Sequence, residues 1–183
     1  MTDTQKKPLW KNELVWLFLI TSGLFAILYS KFILGGYAYV FTDTGADTMQ
    51  INYAQYGLFS SLFRSGESGY VLQAGLGMDV SSYYPAYLIP YNLLILLAPQ
   101  RLLPWAVLAS AYLKMITISL VGYLFYRKLM QDGIGTMAAA LAWTFSGYVI
   151  LWGQHYGFCT CMALFTVCLL YTSPSPRDTE RSR

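Results

Sequence analysis

Charge is what this chain has least of. Lysine, arginine, aspartate and glutamate make up 11% of its 183 residues, where an ordinary soluble domain carries about 25%. Nine residues are acids and one, His155, is a histidine. Basic residues form no stripe, and most aromatics lie inside apolar runs, which excludes a nucleic-acid binder. The three cysteines, Cys159, Cys161 and Cys168, fall in one apolar stretch. No disulfide framework can be read from them. A Cys-x-Cys with one nearby histidine also lacks a fourth zinc ligand at the usual spacing. They read as small buried hydrophobes.

What is abundant is apolar surface. Hydrophobic residues make up 56% of the chain and the mean hydropathy is +0.43. The expected fold class is an all-α polytopic membrane protein. Residues 1–13 are polar and carry Lys6, Lys7 and Lys11, which place the N-terminus in the cytoplasm. Residues 14–34, LVWLFLITSGLFAILYSKFIL, form the first expected span. As a helix they cover about 31 Å, enough for the hydrocarbon core. The run is too long for a signal-peptide core, and no small-x-small site follows it. Lys31, near its far end, can snorkel to the interface.

Residues 35–101 then form an outer loop. From Met49, large apolar groups recur at Tyr53, Tyr56, Phe59 and Phe63, in steps of three and four. This predicts an amphipathic helix over about 45–64, lying on the membrane with its aromatics down. RSGESG ends it, and QAGLGMDVSSYYP reads as an irregular loop. Gly75 and Gly77 suit a tight turn; without a preceding strand or a following GK[ST] they are no nucleotide loop. Residues 86–98, AYLIPYNLLILLA, are apolar but only 13 long, with Pro85, Pro90 and Pro99 in or beside them. They predict an interfacial or re-entrant helix.

Residues 102–126 are long enough to cross, and Arg127 and Lys128 place their end inside. A cytoplasmic turn over 127–135 leads to a third span, 136–152. Gly135, Ala138, Ala139 and Ala142 suit close helix contacts there. An outer loop, 153–156, precedes a partial span over 157–170. The tail 171–183 is polar and cuts that span short. From about residue 168 the sequence reads as translated sequencing-adapter sequence, and the natural protein is expected to be longer.

This topology gathers Asp43, Asp47, Gln50, Glu67, Gln73, Asp79, Gln154 and His155 on the outer side. Lys6, Lys7, Lys11, Arg127 and Lys128 fall on the other. The motifs FTDTGADTMQINYAQY, LFRSGE, AGLGMD, YYPAYLIPYNLLILLAP, FSGY and WGQHY follow in order. In that order and spacing the chain resembles the start of the bacterial YfhO-like membrane proteins, over about residues 10–165. These look like polytopic glycosyltransferases of the GT-C class. The resemblance implies a lipid-linked donor, normally a polyprenyl-phosphate sugar, and a cell-envelope acceptor outside the cytoplasm. It also implies a catalytic acid in the first outer loop, which maps onto Asp43, with Asp47 as the second acidic position. The usual pair in that class is closer, so the role of Asp47 stays open.

In such a reaction an acceptor hydroxyl attacks the anomeric carbon of a phosphate-linked sugar. A carboxylate serves as base, and donors or cations receive the leaving phosphate. Arg64, Arg101 and His155 are the cationic candidates; Gln50, Tyr53 and Gln154 suit sugar faces and hydroxyls. Simpler roles stand beside these. Asp43 could cap the surface helix, Asp47 could favour the helix N-terminus, and His155 could be an interfacial polar group. The residues point to no cofactor, and a requirement for a divalent metal stays open. The other function class is a transporter or flippase-like protein without chemistry. Against it, the spans hold few ionisable groups, only Lys31 and Lys114. A scaffold would leave the outer acids unexplained.

The assignment of 86–98 as non-crossing can be checked directly. Cysteines introduced at Ser82 and Arg101 should both react with an impermeant thiol reagent from outside. Protection of position 101 alone would reverse the orientation of every later segment.

Overall fold

The computed structural model describes residues 12–39, 48–67, 69–72, 76–80, 90–130 and 132–152. These residues are mostly helical. Helix α1 spans Glu13–Leu28 and α2 spans Ser30–Leu34. A π-helical turn, Thr48–Tyr53, runs into α3, Ala54–Ser65. Strands β1, Tyr70–Val71, and β2, Met78–Asp79, pair antiparallel. A 3-10 turn, Pro90–Asn92, starts α4, Leu93–Leu97, and another, Gln100–Leu102, starts α5, Leu103–Leu129. Helices α6, Gly133–Thr144, and α7, Gly147–Trp152, follow.

Among the described residues, two helical stretches are long and apolar enough to cross a membrane, Gln100–Leu129 and Gly133–Leu151. The first is the spine of the fold. Pro104 sits in its first turn, where a missing N–H costs nothing. Asp132 starts the second: its carboxylate accepts from the backbone N–H of Ile134 at 3.2 Å and Gly135 at 2.7 Å. Near Phe145 and Ser146 the helix is interrupted before α7. The run expected as one span over 14–34 is likewise divided, at Tyr29, into α1 and α2.

Helix α1 buries one stripe, Leu17, Thr21 and Phe25, at four-residue spacing. Trp16, Leu19, Leu24 and Ile27 point away from the protein. A helix that is apolar on its outward face as well suits a lipid surrounding. The contact between α5 and α6 is close because the facing residues are small. A methyl group built on Gly122 would lie 3.8 Å from the Ala140 backbone. The buried line on α6 is Thr136, Ala140 and Thr144. Ala138 and Ala142, expected to make close contacts, are exposed. Both buried threonines return their hydroxyls to carbonyls four residues back, Asp132 and Ala140, which satisfies them within the helix.

The main core gathers at the start of α5. There Leu103, Val107, Leu108, Ala111 and Met115 meet Phe25 and Tyr29, α3 and α4. Helix α3 docks on protein rather than presenting a free aromatic face. Tyr56, Phe59, Ser60 and Leu62 are buried, whereas Phe63, expected with the other aromatics on the membrane face, is exposed. The reason lies in two bonds to the segment after α4. Ser60 donates to the Ala98 carbonyl at 2.6 Å. Gln100 donates to the Gly57 carbonyl at 2.8 Å. These hold α3 with Ser60 facing inward. The loop expected beyond it contains the β1–β2 pair. Gly77 there has φ +113°, and a side chain would collide with the Tyr70 ring.

At the opposite end of the spine one carboxylate joins three helices. Glu13 accepts a hydrogen bond from the Tyr123 hydroxyl and pairs with Arg127 at 3.7 Å. Its oxygens also occupy the space where Gly133 would carry a side chain. The Arg127 pair is half-exposed and contributes at most about 1 kcal/mol. The buried Tyr123 hydroxyl is worth more, about 1–3 kcal/mol if left unpartnered. Glu13→Ala should therefore destabilise by about that amount, and Glu13→Gln by less. Gly133→Ala should destabilise by pushing the carboxylate aside, although alanine is the better helix former. Because both act on the same contact, the double variant should cost less than the sum. Thermal unfolding in detergent measures this, and additivity within about 0.5 kcal/mol would refute the three-way contact.

Candidate functional site

The site is built on aromatic residues that α1 and α2 hold over the spine helix. Ser22 on α1 hydrogen-bonds the Tyr112 hydroxyl on α5 at 2.9 Å. Phe25 then meets Tyr112 edge-on at 5.1 Å and stacks on Tyr29 at 4.3 Å. Tyr39 meets both Tyr29 and Phe32 edge-on, at 5.1 and 5.2 Å. Such edge contacts suit the ring quadrupoles. Gly36 makes the return possible: its φ of +68° turns the chain back after α2. Tyr39 is buried, and its hydroxyl donates to that of Tyr29 at 3.3 Å.

Two cavities flank Tyr39. The larger, about 130 Å³, lies between the 32–39 segment and the first turns of α5. Phe32, Tyr37, Tyr39, Pro104, Trp105 and Leu108 form most of its wall. Tyr37 and Trp105 remain substantially exposed and form its rim. The smaller cavity lies deeper, among Tyr29, Tyr39, Ala111, Lys114, Met115 and Ile118. It holds about 10 Å³, the space of one water molecule. Lys114 is only 5% exposed, a costly position for an ammonium inside an apolar helix.

The sequence-predicted site residues divide sharply. Asp43, Asp47, Gln154 and His155 lie outside the described residues, as does the side chain of Gln50. Tyr53 is half-buried against the core. Burial pushes its hydroxyl above the usual tyrosine range. Arg64, in the last turn of α3, and Arg101, just before α5, are both exposed. The Gln100–Gly57 bond brings the Arg101 turn beside the start of α3. Arg64 lies seven residues further along, about 10 Å away in a helix.

Sequence reasoning passed over the residues that form the cavities. Trp105 and Pro104 sit at the start of the apolar run 102–126, where nothing in the local pattern sets them apart. Lys114 carried the clearest signal, a lone charge inside 102–126. Which side of the helix it occupied, and that Tyr29 and Tyr39 would line a cavity with it, were not visible locally.

Two further polar groups are buried in the same region. Both amide atoms of Asn92 and the Ser110 hydroxyl lack hydrogen-bond partners among the described residues. Asn92 is fully buried and precedes α4 without capping it. Replacing an unpartnered buried amide by an apolar side chain of similar size is stabilising. Asn92→Leu should raise stability by about 1–3 kcal/mol, read as a higher thermal midpoint. A lower midpoint would show that the amide has a partner worth keeping.

Comparison of the chain with protein-family models, with curated proteins and with solved structures gives no match in any of the three.

Proposed function

We propose that this chain acts in a polytopic membrane glycosyltransferase of the GT-C type. It would move a sugar from a polyprenyl-phosphate donor to a cell-envelope acceptor on the outer face. The observation that supports this reading is the aromatic cavity ending at Tyr39. Four residues beyond Tyr39 the sequence reaches Asp43, and eight beyond it Asp47. Aromatic walls suit the apolar faces of sugars and isoprenoids, and a carboxylate suits a hydroxyl that must lose its proton. The ordered motifs shared with YfhO-like proteins support the same assignment.

In this reading the acceptor oxygen bonds to the anomeric carbon while the bond from that carbon to the phosphate oxygen breaks. The acceptor proton passes to the Asp43 carboxylate, and the polyprenyl phosphate leaves with the bonding pair. Arg101, on the turn before α5, is the nearest described exposed cation in sequence to the cavity wall at Pro104. It would receive part of the leaving charge. The transport reading draws on the buried Lys114, since ionisable groups inside spans often mark a path. One such group beside a water-sized cavity favours that reading less than the cavity favours sugar transfer.

Asp43→Asn in the intact protein should lower sugar transfer by at least about 10²-fold, with membrane insertion unchanged. Transfer of labelled sugar from a polyprenyl-phosphate donor in isolated membranes measures it. Undiminished transfer would remove Asp43 from the reaction.

A further inference from the structure

The β1–β2 hairpin carries a leucine where its backbone does not favour one. Leu76 has φ +71°, in the left-handed region, which is strained for a residue with a Cβ. Among the described residues it is the one non-glycine residue with a positive φ. It is also 98% exposed, so packing against protein does not offset the strain. Gly75 and Gly77 stand on either side of it in the sequence, and a third glycine would take this conformation freely. Strain held at such a position calls for a use of the side chain.

The rest of the hairpin is arranged to present it. Val80 donates its N–H to the Gly69 carbonyl at 2.9 Å and closes the base. The Tyr70 ring lies against Gly77, and its hydroxyl donates to the Leu76 carbonyl at 3.5 Å. Val71 and Val80 are buried in the main core with Leu103 and Val107. Tyr70 and Leu72, the alternate positions beside Val71, are exposed. Residues 69–78, GYVLQAGLGM, include no charged residue. Inward valines thus fix the hairpin to the core at the start of α5, while Tyr70, Leu72 and Leu76 face outward.

Leu103 lies in the membrane-length stretch Gln100–Leu129, and the ends of such a stretch reach the headgroup region. Trp105 and Tyr37 are exposed at the same end, and tryptophan and tyrosine favour that level. Three side chains at a turn fall far short of the about 800 Å² per partner that a stable protein interface buries. A bilayer asks for no such area and no matched shape, because each apolar side chain that leaves water gains by itself. We propose that Tyr70, Leu72 and Leu76 enter the bilayer interface, which makes the hairpin a lipid anchor for the segment after α3. This surface is independent of the sugar-transfer reading.

The test places a nitroxide at Leu72→Cys in the full chain, with Cys159, Cys161 and Cys168 replaced by alanine. In phosphatidylcholine vesicles the label should collide more with oxygen, which concentrates in lipid, than with a neutral nickel chelate, which stays in water. Leu76→Met should keep that excess. Leu76→Asn, whose side chain tolerates left-handed backbone, should reverse it with helical content unchanged. Vesicles with added anionic lipid should give the same result, because no charge takes part.

A label that meets mainly the nickel chelate in the parent chain would put the tip in water and overturn the proposal. A label shielded from both reagents would put protein over the tip, with the same consequence. An oxygen excess that survives Leu76→Asn would remove Leu76 from the contact, and a loss of helical content would make it a residue of the fold instead. A requirement for anionic lipid would replace apolar insertion by headgroup binding and would also contradict the proposal.

Discussion

The arrangement depends on one constraint: polar side chains on apolar helices have to meet one another. Helix α1 carries Glu13, Thr21 and Ser22, and each has a partner on α5. Glu13 holds Tyr123, Thr21 shares a 2.9 Å hydrogen bond with Ser119, and Ser22 reaches Tyr112. As the position rises along α1 it falls along α5, so the three contacts form an antiparallel ladder. A single side-chain hydrogen bond of this kind contributes about 1 kcal/mol net. That is modest in energy but strict in geometry. Turning α1 by one residue, about 100°, would break the register of all three contacts.

The ladder positions the site. With Ser22 on Tyr112, Phe25 and Tyr29 lie on the face of α5 that carries Ala111 and Met115. The interruption at Tyr29 and the turn at Gly36 then bring Tyr39 back onto that face. Cavity walls contributed by residues 32–39 and 104–108 exist only because α1 is held in this rotation. At the far end, Glu13 links the same helix pair to the start of α6. The spine helix is thus braced at both ends, by a carboxylate on one side and an aromatic stack on the other.

Element lengths were the most legible part of the sequence, because long apolar runs force helices. The run 102–126 lies within one membrane-length helical stretch, and 136–152 overlaps the other to Leu151. Rotations were not legible. The alternation at Met49, Tyr53, Tyr56, Phe59 and Phe63 suggested an aromatic face, yet Ser60 and Leu62 are buried and Phe63 is not. Two hydrogen bonds from a segment about 40 residues away decide that rotation. The ladder joins residues 90 to 110 positions apart, which no local period encodes. Asp132 was readable only as part of a turn, although an aspartate ahead of a small-residue apolar run is also an N-cap pattern. For the site, Asp43 and Asp47 stood out by scarcity, whereas Trp105, Tyr37 and Tyr39 merged into a chain with 16 tyrosines and five tryptophans.

Everything else depends on the rotational setting of α1 on α5, and a cross-link tests that setting most directly. Cysteines at Thr21 and Ser119, whose hydroxyl oxygens lie 2.9 Å apart, should form a disulfide in native membranes under mild oxidation. Cysteines at Ile20 and Ser119 should not, because Ile20 is on the exposed side of α1. Efficient cross-linking of 20 to 119, with none of 21 to 119, would show that α1 faces the spine with a different side.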